Sequence, residues 1–381
     1  MRSTVAVALA LAAGAHSVAV ESESKAKAHV FGKNGAGVYR PPPPPSATGN
    51  APPRLGKDGA GVLKGPETVP RLGKDGSGVY KGAELDAKTV AAKFAWYVDQ
   101  FEKTYDIEEY AERLKAFSVT LREIQHHDEA HKVGLNRFSD WTIDEFEAYQ
   151  TYKPSTKRHA PQTHKTSGKS LPTEVDWRKE GLVADVKDQG SCGSCWTFST
   201  VASIEGAHAK KHGKMVTLSE QNLVDCVKKD RLPSDAEDCC DGCDGGLMDN
   251  AFDYIINKQK GGIDTEAAYP YRGEDEKCEF ESSEDGAKIS NWTDVPSGDE
   301  DALLDALATV GPVSVALDAS RQWQTYAGGV LTPRKWLGGC SSDPAKADHG
   351  VAVVGYGTDS TSGFYPCGNQ ISGAAFARWR G

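Results

Sequence analysis

The sequence lacks a surplus of positive charge. Its 44 lysine and arginine residues are outnumbered by 54 aspartate and glutamate residues, which gives a formal net charge of -10. A surface that neutralises phosphate groups needs clustered basic side chains, so the composition argues against nucleic-acid binding. The length of 381 residues and the mean hydropathy of -0.52 are typical of a soluble protein with roughly two to three folded units.

The sequence also lacks an apolar run long enough to cross a membrane. A basic start at Arg2 is followed by an apolar stretch that ends at Ala15 and by small residues up to Ser17. A membrane-spanning helix needs about 20 consecutive apolar residues, and this stretch is shorter. The pattern predicts a secretory signal peptide over residues 1–20 and no membrane anchor, with the lysosome, the vacuole or the cell exterior as the destination.

Large apolar side chains are scarce between residues 21 and 85. Three related stretches, FGKNGAGVYR (31–40), LGKDGAGVLK (55–64) and LGKDGSGVYK (72–81), lie at unequal distances around a proline run. Segments rich in glycine and proline bury little, and the irregular spacing argues against a stacked repeat fold. We predict a disordered extension, with a binding role for the G-K-D-G units as the alternative.

Two of the nine cysteines, Cys192 and Cys195, have a C-x-x-C spacing. This spacing suits a redox pair, half of a zinc site, or a nucleophile beside a structural disulfide. The βαβ pattern that flanks a thioredoxin-like pair is absent, and a helical pattern begins at Cys195 instead. A zinc site needs a second pair, for which CCDGC (239–243) is the only candidate, and a secreted domain normally oxidises such cysteines. We therefore expect no metal ion and no cofactor.

Residues 86–150 have helical periodicity. The apolar residues that recur at three- and four-residue steps are Phe94, Tyr97, Phe101, Tyr110, Leu114, Phe117, Leu121 and Ile124. They predict two amphipathic helices with a turn around Thr104–Asp106. Taken alone, this periodicity describes only a helical hairpin.

Two motifs in this region resemble the inhibitory pro-segment of cathepsin L-like proteases. The steps of the E-R-F-N-I-N motif are occupied by Glu109, Arg113, Phe117, Thr120, Ile124 and Asp128, with two asparagines replaced. The stretch GLNRFSD fills every position of the G-x-N-x-F-x-D motif with Gly134, Asn136, Phe138 and Asp140. The resemblance implies an inhibitory propeptide over residues 86–150. The polar stretch 151–170 is then expected to be an exposed activation linker suited to proteolytic cleavage.

The stretch from residue 171 onward resembles the peptidase domain of the same family. LPTEVDWR (171–178) is similar to its mature start, and C-G-S-C-W is its nucleophile signature. The resemblance implies that Cys195 is the nucleophile, His349 the base, and Gln189 an oxyanion donor together with the backbone of Cys195. A helix N-terminus and a neighbouring imidazolium both lower a thiol pKa, which is why this chemistry needs them. The family also pairs its structural cysteines, here Cys192 with Cys243 and Cys226 with Cys278.

The resemblance further implies a peptide-binding cleft with an apolar P2 preference. The matching substrate-binding positions are Gly245, Gly246, Leu247, Met248, Ala316, Ala347 and Asp348. Without the resemblance, the Leu, Met and Ala residues would simply be core residues. The stretch NWT makes Asn291 a candidate glycosylation site.

The C-terminal end departs from the family pattern. No Asn-Ser-Trp-Gly segment follows His349, and Asn369 stands in different surroundings. Loss of the residue that orients the imidazole costs several kcal/mol in comparable enzymes. The pairing of four further cysteines stays open: Cys239, Cys240, Cys340 and Cys367.

We therefore expect an α+β fold with two lobes, preceded by the helical propeptide. A mostly helical lobe carries Cys195, an antiparallel, barrel-like lobe carries His349, and the peptidase domain spans residues 171–381. The expected function is a cysteine endopeptidase made as a zymogen, a monomer acting on protein or peptide substrates. Expected partners are the chain's own propeptide and cystatin-like inhibitors. The alternative is a catalytically impaired protein whose propeptide inhibits related proteases.

Overall fold

The computed structural model describes residues 85–127, 131–152, 154, 161–232, 239–296, 298–319, 321–329 and 343–357. The helices are α1 (Ala87–Gln100), α2 (Ile107–Gln125), α3 (Ile143–Tyr149), α4 (Cys195–His212), α5 (Glu220–Cys226), α6 (Met248–Lys258), α7 (Glu300–Thr309) and α8 (Arg321–Gln324). The strands are β1 (Lys132–Val133), β2 (Gln162–Thr163), β3 (Val175–Asp176), β4 (Gly262–Asp264), β5 (Asp285–Lys288), β6 (Thr293–Asp294), β7 (Val313–Leu317), β8 (Tyr326–Gly328), β9 (His349–Val353) and β10 (Gly355–Tyr356). The predicted signal peptide, the predicted extension as far as residue 84, Asp128, Cys340, Cys367 and Asn369 lie outside the described residues.

Helices α1 and α2 form the hairpin that the apolar periodicity predicts. Each begins at an aspartate cap, because Asp86 accepts a hydrogen bond from the Thr89 amide and Asp106 accepts one from the Glu109 amide. The hairpin core includes the fully buried Phe94, which packs against the Phe117 ring at 5.2 Å between centroids. The prediction of two amphipathic helices is confirmed.

A buried carboxylate joins this hairpin to the loop that follows β1. Asp140 is 1% exposed and accepts hydrogen bonds from the hydroxyls of Tyr97, at 2.8 Å, and Tyr105. The ammonium of Lys103 lies 3.3 Å from the same carboxylate. Burial, reinforced by the charge of Asp140, raises the pKa of both tyrosines, so both hydroxyls stay protonated and donate.

Helices α4, α5 and α6 build the first of two lobes in the part of the chain after residue 170. Helix α4 is buried along most of its length, and Trp196 at its second position is 0% exposed. Around it lies a core with Leu223 and Ile255, each also 0% exposed. Disulfides join Cys192 to Cys243 and Cys226 to Cys278 within this lobe, as the resemblance implies.

The second lobe is built on the antiparallel pair β7 and β9. Its register runs from Val313 opposite Val353 to Leu317 opposite His349. Strand β9 also packs on α4, because the Ser199 hydroxyl donates to the Val351 carbonyl at 2.7 Å. The strand therefore begins with His349 at the junction of the two lobes. This two-lobed α+β architecture agrees with the fold expected from the sequence.

The segment between α2 and residue 150 packs against the second lobe. Strand β1 pairs with β8 in an antiparallel fashion, and the Asn136 amide donates to the Gln324 carbonyl at 2.6 Å. An aromatic cluster behind it contains Phe138, Phe146 and Tyr149, with Trp323 of the second lobe against it. Among the described residues, no helix is long and apolar enough to cross a membrane.

Candidate active site

Cys195 is the first residue of α4 and lies beneath the protein surface. It is 0% exposed, and it is the one free cysteine among the residues that the structure describes. Ser194 precedes the helix without capping it through its side chain, and within the first turn it is the Trp196 amide that bonds to the Cys195 sulfur and favours its thiolate. The Cys192–Cys243 disulfide holds the turn before the helix, and the Gly193 amide donates to the Cys243 carbonyl at 2.9 Å.

His349 is the first residue of β9, and this strand brings it beside Cys195. The amide of the next residue, Gly350, donates to the Cys195 sulfur at 3.4 Å, and His349 is 2% exposed. On the other side, the Asp348 carboxylate accepts from the Ala319 amide at 2.7 Å. The structure therefore places the backbone of His349 one residue from the amide that contacts the Cys195 sulfur.

Gln189 lies in the loop before the nucleophile, and its side chain is 2% exposed. Its amide nitrogen donates to the Cys192 carbonyl at 2.9 Å. Tyr271 also holds this loop in place. Its hydroxyl donates to the Gln189 carbonyl at 2.7 Å and lies 2.6 Å from the Ser194 hydroxyl. Tyr271 could not be predicted from the sequence, since nothing in the stretch AAYPYRG indicates which loop its hydroxyl contacts.

A buried charge cluster anchors the beginning of this loop. The Lys187 ammonium lies 3.0 Å from the Glu205 carboxylate of α4 and 2.6 Å from the Glu220 carboxylate of α5. Burial raises the pKa of Glu220 to about 8. The loop with Gln189 is thus tied to both helices at its start and to Tyr271 further on.

Residues Thr151 and Tyr152 cross the cleft directly over the nucleophile. The Thr151 hydroxyl donates to the Gly193 carbonyl at 2.6 Å, and the Tyr152 amide donates to the Asp348 carbonyl at 2.9 Å. A Cβ atom at Gly245 would lie 2.2 Å from the Thr151 carbonyl oxygen, so only glycine allows this approach. At these two residues the segment is bound in the cleft and is not the exposed linker that the sequence predicts.

The remaining substrate-binding candidates differ in where they lie. Met248 and Ala316 line a cavity of about 350 Å³ that Tyr152 also lines. Leu247 is 4% exposed and Ala347 is 7% exposed, and Leu247 packs into the first-lobe core. Gly246 lies so close to Trp196 that a Cβ atom would come within 2.5 Å of the indole. Asn291 is exposed at the rim of the same cavity.

The structure shows the pairing of two of the four cysteines whose partners the sequence leaves open. Cys239 and Cys240 form a disulfide with each other just before the Cys192–Cys243 bridge. The Asn250 side chain donates to the Cys239 sulfur at 2.6 Å. Among the described residues, no three His, Cys, Asp or Glu side chains come together in a group that could hold a metal ion.

Burial in the covered cleft favours the uncharged forms of both reacting groups. It raises the pKa of the Cys195 thiol, an effect that hydrogen bonds from Gly350 and Thr151 only partly offset. It lowers the pKa of His349 to about 4. A thiolate–imidazolium pair therefore requires water to return to the cleft.

This burial predicts a specific pH dependence of the closed chain. Because the pKa of His349 falls from 6.5 to about 4 on folding, its stabilising contribution is complete above pH 6.5 and is lost as the pH falls toward 4. Burial raises the pKa of Asp348 to about 6, so its contribution to stability changes with pH in the opposite direction. Because Asp348 is present in every chain compared, this contribution cancels in the difference. Between about pH 7 and about pH 4, the parent should lose on the order of 3 kcal/mol more unfolding free energy than His349→Gln.

Denaturant unfolding of the full chain at several pH values measures this difference. The exposed imidazole in His126→Gln is the control, and that variant should follow the parent. Parallel pH curves for the parent and His349→Gln would contradict the prediction.

This chain is similar to two known protein families. Residues 171–372 match the family described as papain family cysteine protease, and residues 94–146 match the cathepsin propeptide inhibitor domain (I29). Cathepsin L of Sarcophaga peregrina is 41% identical over 288 residues, which cover 70% of this chain and 79% of that protein. Vignain of Phaseolus vulgaris is 44% identical, covering 65% of this chain and 67% of that protein. The solved digestive procathepsin L 3 of Tenebrio molitor larval midgut has a TM-score of 0.61 at 36% identity, covering 71% of this chain and 85% of that one.

Proposed function

Because the chain belongs to the papain family of cysteine proteases and carries a cathepsin-type propeptide, we propose that Cys195 and His349 perform its peptide hydrolysis. The observation that carries the proposal is the cleft itself. Thr151 and Tyr152 lie in it over Cys195, with Tyr152 bonded through its backbone to Asp348 and Thr151 against Gly245. A cleft that holds one extended peptide over a free cysteine can hold a substrate in the same place.

The proposed chemistry follows from the positions of the groups. In the open cleft, the His349 imidazole takes the Cys195 proton, and the first-turn amides of α4 stabilise the thiolate. The thiolate attacks the peptide carbonyl, and its oxygen receives hydrogen bonds from the Cys195 amide and the Gln189 side chain. His349 gives the proton to the departing amine, which leaves an acyl-enzyme. Water, with His349 as base, then hydrolyses the thioester and restores the free thiol.

We propose an apolar residue at P2 of the substrate. The cavity beside the cleft is lined by Met248, Ala316 and Phe252. The aromatic ring of Tyr152 packs against the core of the first lobe. Apolar walls of this kind favour apolar side chains through burial of their surface.

The propeptide inhibits its own peptidase domain by covering the cleft. Beside Thr151, it pins the loop with Gln189, because Arg137 donates to the Asp188 carboxylate at 2.7 Å and to the Gly190 carbonyl at 2.6 Å. The Tyr149 hydroxyl donates to the same Gly190 carbonyl at 2.8 Å. We propose domain limits of 86–150 for this inhibitor and 171–381 for the peptidase. We further propose that the protein is a monomer of the lysosome, vacuole or cell exterior, open to cystatin-like inhibitors.

Active-site labelling tests the proposal. The full chain is treated at about pH 5 and then exposed to an epoxide that alkylates activated thiolates. One label per chain is expected in the parent and in Ser283→Ala, an exposed serine far along the chain, and none in Cys195→Ala. Soluble, processed parent without label would contradict the proposal. Inhibition of a related protease by residues 86–150 would then make the inhibitor function the better account.

A further inference from the structure

The segment after residue 160 lies along the second lobe as an added strand. Strand β2 pairs in parallel with β6, with Gln162 opposite Thr293 and Thr163 opposite Asp294. The ladder extends one residue further, because the His164 amide donates to the Asp294 carbonyl at 2.7 Å. The segment therefore satisfies backbone groups on an edge of the peptidase part.

A carboxylate of α7 holds the same segment through its side chains. Asp305 is 3% exposed and accepts from the His164 ring at 2.9 Å. Its other oxygen accepts from both the amide of Ser167, at 2.9 Å, and the hydroxyl of Ser167, at 2.6 Å. These bonds, those from Ser167 first, lower the pKa of Asp305 to about 2, so the carboxylate stays ionised at the acid pH of processing.

We propose that the edge of β6 together with Asp305 is a docking site that retains residues 162–167 on the mature enzyme. We call these residues the strap. Every bond described above joins the strap to residues 293–305, so removal of residues 86–150 breaks none of them. The strap is thus an N-terminal part of the active protein and is not trimmed back to Leu171.

The surface beneath the strap gives a physical reason for its retention. His164 is part of the lining of the 350 Å³ cavity, together with Leu303 and Ala306 of α7. Departure of the strap would expose more of the apolar wall of this cavity and leave the β2 side of β6 without its partner. Both exposed apolar surface and a bare strand edge are unfavourable in a secreted protein.

The test supplies cleavage from outside, so its result does not depend on this chain's own activity. The full chain with Cys195→Ala is processed at about pH 5 by immobilised papain. Intact mass and N-terminal sequencing then identify where the stable product begins. We expect a start at or before Gln162. A start at Leu171 would overturn the proposal.

Two variants in the Cys195→Ala chain test the role of Asp305. Asp305→Asn should move the start of the product beyond Ser167, whereas Asp301→Asn, an exposed carboxylate on the same helix, should leave it unchanged. Ser167→Ala removes only the hydroxyl donor and should shift the start in the same direction, with exposed Ser170→Ala as its control. An unchanged start in both Asp305→Asn and Ser167→Ala would overturn the assignment of Asp305 as the anchor.

Discussion

Replacing Cys195 with alanine is expected to lower kcat/KM of the processed protein by a factor on the order of 10⁶, and replacing His349 with alanine is expected to lower it about as far. In the proposed mechanism the thiolate is the attacking group, and the imidazole both takes and returns its proton. Neither residue can act without the other. The double variant should therefore be no less active than either single variant, because the effects of groups that act as a unit do not add.

These variants cannot process themselves, so each is processed by immobilised papain before the assay. Hydrolysis of a short peptide with leucine at P2 measures kcat/KM, and Ser283→Ala reports on handling and folding. Additive losses in the double variant would contradict a coupled Cys195–His349 pair. A loss of less than about tenfold in His349→Ala would remove His349 from the proton transfer.

Asp140→Asn is expected to abolish the latency of the zymogen at neutral pH. The carboxylate is buried, and it accepts from Tyr97 and Tyr105 while facing the Lys103 ammonium. The asparagine amide would direct an N–H donor at the tyrosine hydroxyls, which are themselves donors. The Lys103 ammonium would also lose its counterion. Removing one partner of a buried ion pair costs about 3–5 kcal/mol, which should loosen the joint between the helical hairpin and the loop that carries Arg137.

Labelling by the epoxide at about pH 7, without acid treatment, measures this loss of latency. The parent should stay unlabelled, whereas Asp140→Asn should be labelled at Cys195. Asp144→Asn is the matched control, because Asp144 is an exposed carboxylate in the first turn of α3. If Asp140→Asn stayed as resistant to the label as the control, the buried cluster would have no part in holding the cleft closed.

Local patterns in the sequence were enough to predict several parts of this molecule. The α1–α2 hairpin follows from apolar residues at three- and four-residue steps, since helix formation depends on neighbours one turn apart. The position of Cys195 at the start of α4 follows from the glycine-containing turn before a helical run. The complete G-x-N-x-F-x-D motif likewise identified Asp140 before its partners were visible.

Contacts between distant parts of the chain could be found only in the tertiary structure. Tyr271 reaches the Gln189 carbonyl across 82 positions, Thr151 reaches Gly193 across 42, and Ser167 reaches Asp305 across 138. In the sequence, the stretch 151–170 has the composition of a polar linker. That composition does not indicate that the edge of β6 and the Asp305 carboxylate bind part of it. The sequence by itself thus predicted the first two helices and the helix that begins at Cys195, which depend on local order, while its resemblance to a protease family supplied the candidate nucleophile and the kind of chemistry. The packing of the lobes decided what covers the nucleophile and what stays attached, because those bonds exist only once the strands and helices have come together.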